Sequence, residues 1–246
     1  MQWYKADLHI HTVLSPCGGL DMSPVNIIKQ AVLKGLDFIA ITDHNSTRHC
    51  RLAQEIGRKH GITVLAGAEV NTKEEIHCLT FFENLDKAGK FQQYIDENLM
   101  FIENKPEIFG YQLIVDEDEN ILEEEVRMLG AAMNTSIDEI SEVVASLDGI
   151  FIPAHINRLH NSIYSQLGFI PPSARIDAIE VSPVADYIKF LDEHPETSRF
   201  CHVNNSDSHH PERIGLITTE YYIEKPDFNE FRMAIRNENG RKVRSI

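Results

Sequence analysis

Apolar run after apolar run in this chain closes on a histidine, an aspartate or a glutamate, and that recurrence restricts the fold more than any other feature. His9 and His11 close the run from Tyr4 to Ile10, Asp43 and His44 follow Asp37 to Thr42, and Glu69 follows Ile62 to Ala66. His77 lies in the run Ile76 to Phe82, His155 follows Ile150 to Ala154, and Asp207 and His209 follow Phe200 to Asn204. Side chains alternate faces along a strand with a period of two, so His9 and His11 share a face and reach one ion together. Open parallel sheets and α/β barrels carry their active sites at the C-terminal ends of their strands. Residues far apart in sequence then converge on one rim.

Between these runs the pattern is helical. Ser23-Pro24 supplies an N-cap and a first-turn proline for a helix Val25 to Lys34, which Gly35 stops. A second helix is expected over Thr47 to His60, closed by Gly61. A third is expected over Ile137 to Leu147, with Ser136 and Glu139 in capping-box spacing. The strands are nearly all apolar, as for parallel strands buried on both faces. A strand at Gly215 to Ile223 and a helix at Phe228 to Asn237 end the pattern. The expected fold is α/β, a parallel sheet either open or closed into a barrel, with a single domain over 1–246. Residues 84–130 break the rhythm and read as an acidic insertion with helical pieces, in which Asp116 to Asn120 form a charged turn.

Composition narrows the functions. The chain has 246 residues, 42% hydrophobic, and a formal charge of −15. A phosphate backbone is held by clustered Lys and Arg, so no stable nucleic-acid complex is expected, although metal ions can still bring a phosphate group to an acidic protein. The four cysteines form no CxxC pair and suggest no disulfide framework. No signal peptide and no apolar run long enough for a membrane span are read, so a cytoplasmic protein is expected. The oligomeric state is unknown from the sequence.

Taken in order, Asp7-Leu-His-Ile-His-Thr12, Ile41-Thr-Asp-His-Asn45, Gly67-Ala-Glu69, His77, Ala154-His155 and Ser206-Asp-Ser-His209 resemble the PHP (polymerase and histidinol phosphatase) superfamily of metal-dependent phosphoesterases. The resemblance implies a distorted seven-stranded (β/α) barrel with a trinuclear metal centre on its C-terminal rim. It implies that His9, His11, Glu69 and Asp207 hold a first ion, that Glu69 bridges to a second held by His77 and His155, and that His44 and His209 hold a third. Where the family usually places a further Asp or His for the third ion, this chain has Ser15-Pro16-Cys17-Gly18, leaving Cys17 or Asp21 as candidates. The expected cofactors are two to three divalent ions, zinc, manganese or iron.

Such ions neutralise a phosphate ester's oxygens and generate hydroxide near neutral pH. Glu69 and Asp207 are the expected catalytic carboxylates. Arg158, whose guanidinium fork suits a phosphate, is the expected substrate-binding cation. Asp43 is expected to orient a neighbouring imidazole through its N–H. The expected substrate is a small phosphorylated metabolite or nucleotide. An amidohydrolase-type reaction is the alternative, but that chemistry commonly uses a strand-end lysine, and Lys73 instead follows Glu69 in a turn. A non-catalytic metal-binding module is the remaining alternative.

Overall fold

The computed structural model describes residues 1–183 and 187–245. The chain runs β1 (Gln2–Asp7), α1 (Pro24–Leu33), β2 (Phe38–Ile41), α2 (Cys50–His60), β3 (Thr63–Asn71) and β4 (His77–Phe82). It continues through α3 (Leu85–Asn98), α4 (Pro106–Phe109), β5 (Leu113–Val115), β6 (Ile121–Glu124), α5 (Ile137–Ser146) and β7 (Ile150–Pro153). The last part is α6 (Ile163–Leu167), β8 (Ala178–Glu180), α7 (Tyr187–Glu193), β9 (Cys201–Val203), β10 (Thr219–Ile223), α8 (Phe228–Ile235) and β11 (Lys242–Arg244).

The main sheet has seven strands in the order β11-β10-β1-β2-β3-β4-β7. Strands β1, β2 and β3 are parallel, whereas β4 is antiparallel to both β3 and β7. A parallel pair, β8 and β9, spans from β7 round to the end of β1. On one side Asp177 N–H donates to Phe151 O at 3.0 Å and Ile156 N–H to Glu180 O at 2.9 Å. On the other, His11 N–H donates to Ser208 O at 3.0 Å and Ser208 N–H to His9 O at 3.2 Å. The result is the distorted, PHP-like α/β barrel that the motifs implied, with a seam closed by a few backbone bonds.

The reversed β4, and at the other edge β10 and β11, which pair antiparallel to β1 and to each other, correct the reading of a uniformly parallel sheet. β3 runs on to Asn71, leaving only residues 72–76 before His77, and Thr72 N–H donates to Ile76 O across that turn. A parallel crossover needs a dozen residues or more, so the chain can only turn back. The reversal puts the first residue of β4, His77, on the rim where β3 and β7 end.

Alternating strand residues face two cores, which is why the strands read as continuously apolar. Ile39, Ile41, Val64 and Ala66 pack outward with Ile27, Ile28, Ile56 and Ile140 from the helices. Phe38, Ala40, Leu65 and Leu79 pack inward with Tyr221 and Phe231. Ser23 caps α1, α2 ends at left-handed Gly61, and Ser136 with Glu139 forms the expected capping box on α5. The second helix starts at Cys50, not Thr47, because the residues before it are bonded elsewhere: Thr47 N–H to Gln92 and the His49 ring to its neighbours.

Within residues 84–130, α3 buries Ala88, Phe91 and Ile95 in the outer core. Beyond it, β5 and β6 form a hairpin whose turn is held by Asp116 Oδ1, which accepts from Asp118 N–H at 2.9 Å and Asn120 N–H at 2.8 Å. Asn45 ties the end of this stretch to the rim through Leu129 O and Ala131 O. Among the described residues no helix is long and apolar enough to cross a membrane.

Candidate metal centre

His9 and His11 continue the line of β1 and are fully buried, their Nε2 atoms only 3.1 Å apart. The other nitrogen of each ring decides what this means. His9 Nδ1 lies 3.1 Å from both oxygens of the buried Glu180 carboxylate, so it carries the proton and donates. Ser15 Oγ gives its one proton to Asp43 Oδ1 at 2.7 Å, so His11 Nδ1, 3.0 Å from the same oxygen, donates to it. His209 Nδ1 donates to the Asp207 carbonyl at 2.9 Å. With each Nδ1 proton so placed, each Nε2 turns into the site and is the nitrogen that offers a lone pair to an ion. Two lone pairs at such a separation require a cation or a proton between them.

The carboxylates complete the set. Glu69 Oε1 is 3.2 Å from His9 Nε2, 3.2 Å from His77 Nδ1 and 3.3 Å from His155 Nε2. Its Oε2 is 3.3 Å from His11 Nε2 and 3.0 Å from His44 Nδ1. Asp207 Oδ1 lies 3.3 Å from His9 Nε2 and 3.2 Å from His11 Nε2. Ligands about 2.0–2.1 Å from a tetrahedral zinc stand about 3.3 Å from one another, which matches these separations. Among the described residues three groups have metal-binding spacing: His9–His11–Glu69, His44–Glu69–His77 and His11–His44–His209.

Glu69 Oε2, Asp207 Oδ1 and His44 Nδ1 of the cluster are buried without a hydrogen-bond partner. Such orphans cost about 1–3 kcal/mol each unless something else satisfies them. The donor set therefore fits divalent ions. Without them, the charges lean on one another. Burial pushes the Glu69 carboxyl up, but the imidazoles of His77, His9 and His44 outweigh it and hold it well below the carboxylate range. Burial also raises Asp207, and His9 and His11 bring it down further than burial lifts it. Burial favours a neutral His9, yet Glu180, Asp207 and Glu69 hold it well above its ordinary range. His77 goes the other way, because burial dominates its attraction to Glu69. His155 and Asp207 both sit in the left-handed region, at φ 32° and 50°, a strained backbone that aims their side chains inward.

The model of the PHP domain matches residues 7–163. This chain belongs to the PHP domain family. The uncharacterized protein YqxK of Bacillus subtilis is 25% identical over 279 residues, covering 99% of this chain and 64% of that protein. Endonuclease Q of Pyrococcus furiosus has a TM-score of 0.73 at 23% identity, over 98% of this chain and 58% of the endonuclease. Endonuclease Q bound to a 27-mer duplex substrate with an abasic lesion at its active site has the same TM-score, 0.73, at 22% identity. This PHP chain thus spans about three fifths of the length of these relatives.

Around the PHP centre the remaining candidates are placed differently. Cys17 is exposed as a residue on the rim loop, but its thiol is turned in against His44 and His209. Burial of the thiol would raise its pKa, but His44, His209 and His11 bring it down to about 5. Asp21 is exposed, outside every metal-spaced group among the described residues, and lies over Gly19 beside His210. The imidazole beside Asp43 is that of His49, whose Nδ1 lies 3.9 Å from Oδ2, and among the described residues no metal-spaced imidazole bonds to Asp43 directly. Asp43 accepts from Thr12 N–H at 2.6 Å, Thr12 Oγ1 at 2.8 Å and Ser15 Oγ, and so reaches His11 only through Ser15. Arg158 donates from Nη1 to Asp207 Oδ2 at 2.5 Å and from Nε to Ser182 Oγ at 3.1 Å. It lines a cleft of about 810 Å³ with Leu159, His160, Lys189 and Phe190, and His44, Glu69, His77 and His209 line the same cleft.

Glu180 was missed in the sequence. It accepts from His9, from His155 N–H at 2.9 Å and from Asn205 Nδ2 at 2.8 Å, so it sets two rim residues at once. Its signal was present: a lone carboxylate inside the apolar run Ala178-Ile-Glu180-Val181 at a strand end. His49, buried against Thr12, offered no such signal.

Proposed function

We propose that this PHP chain is a metal-dependent phosphoesterase that hydrolyses the phosphate ester of a small metabolite or nucleotide. The observation that carries this reading is the division of the Glu69 carboxylate, one oxygen facing His9, His77 and His155 and the other facing His11 and His44. A carboxylate with imidazoles against both of its oxygens would suit a bridge between two ions. His9, His11, Glu69 and Asp207 would hold the first, Glu69, His77 and His155 the second, and His44 and His209 with Cys17 a third. Divalent ions bound there supply charge against the phosphate oxygens and lower the pKa of a water. The chain's own residues do the rest. Glu180 and Ser15 hold the imidazoles in the Nδ1–H tautomer. Arg158 fixes Asp207 at the mouth of the cleft and presents positive charge to an incoming phosphate.

The cleft volume suits a ligand of nucleotide size. The amidohydrolase alternative lacks its lysine, since Lys73 is exposed in the β3–β4 turn. A second reading, action on a nucleic-acid strand, is favoured by the likeness to Endonuclease Q over nearly the whole chain and opposed by the net charge of −15. The test is hydrolysis by manganese- or zinc-loaded protein of p-nitrophenyl phosphate, a nucleotide and sugar-phosphate panel, and an abasic duplex. Turnover of the small esters, abolished in Glu69→Gln with the fold retained, is expected. Cleavage of the duplex alone would move the substrate to nucleic acid, and no turnover with any metal would end the phosphoesterase reading.

A further inference from the structure

Two series of hydrogen bonds, one from the β5–β6 hairpin and one from the metal centre, meet on the Asp43 carboxylate. Val115 N–H donates to His49 Nε2 at 3.1 Å, so that nitrogen carries a lone pair and Nδ1 carries the proton. Nδ1 lies 2.7 Å from Thr12 Oγ1, whose own proton goes to Asp43 Oδ2 at 2.8 Å. Asp43 Oδ1 accepts from Ser15, and Ser15 accepts from His11 Nδ1–H. Every donor in the series has one acceptor and Asp43 collects both branches. No member can be turned without breaking a neighbour's bond. His49 and Asp43 are buried, so water does not replace a lost partner.

We infer that His49 is a positioning residue that couples the β5–β6 hairpin to His11, so that the seating of the hairpin sets the affinity of the metal centre. His49 touches neither a metal-spaced residue nor the cleft. Its ring joins the hairpin backbone to the Thr12 side chain, while Leu113 N–H of the same hairpin donates to the neighbouring Val13 O at 3.1 Å and so docks the hairpin without touching the relay. Arg48 next to it also binds the hairpin region, at Glu125 (2.8 Å) and Glu123 (3.6 Å), but through salt bridges that do not lead to Thr12. The two residues therefore separate docking of the hairpin from transmission to the site.

The inference rests on the metal-centre reading above. It is tested by titrating Co(II) into wild-type, His49→Ala, His49→Gln and Arg48→Ala proteins, reading the visible cobalt absorption, with circular dichroism to establish folding. Loss of a hydrogen-bonded partner behind a ligand typically weakens metal binding about 10–100-fold. His49→Ala is expected to bind cobalt roughly tenfold more weakly and with a shifted visible band, because Thr12 loses the bond that holds its hydroxyl on Asp43, the carboxylate that anchors Ser15 behind His11. His49→Gln, with one donor and one acceptor on a planar group, recovers part of the loss, and Arg48→Ala binds as wild type does. Unchanged binding in His49→Ala, a Gln variant as weak as Ala, or an equal loss in Arg48→Ala overturns the coupling. Should His49→Ala not fold, Thr12→Val cuts the same relay at its hydroxyl: a similar loss supports it and none overturns it. Wild-type protein that binds no cobalt overturns the metal-centre reading itself.

Discussion

Replacing Glu180 by Gln tests whether tautomer control behind the imidazoles holds the metal centre together. All partners of this carboxylate are donors: His9 Nδ1–H, His155 N–H and Asn205 Nδ2. A glutamine of the same shape leaves its NH2 facing a donor and removes the charge from the bond to His9. A hydrogen bond to a charged group contributes about 1.5–3 kcal/mol, which converts to about tenfold to a hundredfold in a binding constant. Ligand-supporting partners behind metal-binding histidines span the same range, about 10–100-fold. Metal affinity of Glu180→Gln, measured by competition with a chromophoric chelator, is therefore expected to fall by about that factor with the secondary structure intact. An affinity within about twofold of wild type would refute the claim that Glu180 orients His9, since the calculated loss is at least about tenfold.

Other expectations concern stability. Burial raises the Asp7 carboxyl to about 6, against its bonds from Ser206 and Gly215. A carboxyl raised on folding contributes stability that is complete below its ordinary pKa of 3.8 and is lost as pH rises to about 6. The loss is about 3 kcal/mol at 1.36 kcal/mol per pKa unit. The stability of metal-free Asp7→Asn relative to wild type should accordingly climb between those two pH values and level off above, in urea unfolding at a series of pH values; a flat difference would show that Asp7 does not titrate there. Phe91 of α3 is fully buried, its ring 4.9 Å from that of Phe82. Phe91→Ala should cost about 3–5 kcal/mol in denaturant unfolding, and a loss under about 1 kcal/mol would mean that α3 is not part of the barrel's core.

Local chemistry made much of the barrel legible. Ser23-Pro24, Gly61 and the Ser136–Glu139 box mark helix ends through bonds made within a few residues. Doubly buried strands announce themselves as unbroken apolar runs. The period-two spacing of His9 and His11 was enough to bring their rings together, and the strand-end residues gather on one rim. The stretch after Phe82 was harder to read. α3 exposes Lys and Gln on its outer side, and its buried Ala88, Phe91 and Ile95 are too few to stand out among them.

The residue types at the strand ends, and the face on which they lie, belong to the sequence alone. Tertiary structure decided the rest. The direction of β4 brought His77 to the rim from the start of its strand. Bonds from Glu180, Ser15 and the Asp207 carbonyl chose which nitrogen of each ring carries the proton. Arg158 was drawn onto Asp207, and His49 became the link between a hairpin and a ligand. Each of these depends on atoms brought together from distant segments, whose distances exist only after the sheet has curled. A histidine's place in the sequence shows that it can bind an ion; which of its nitrogens does so is set by the partner that the fold puts behind it.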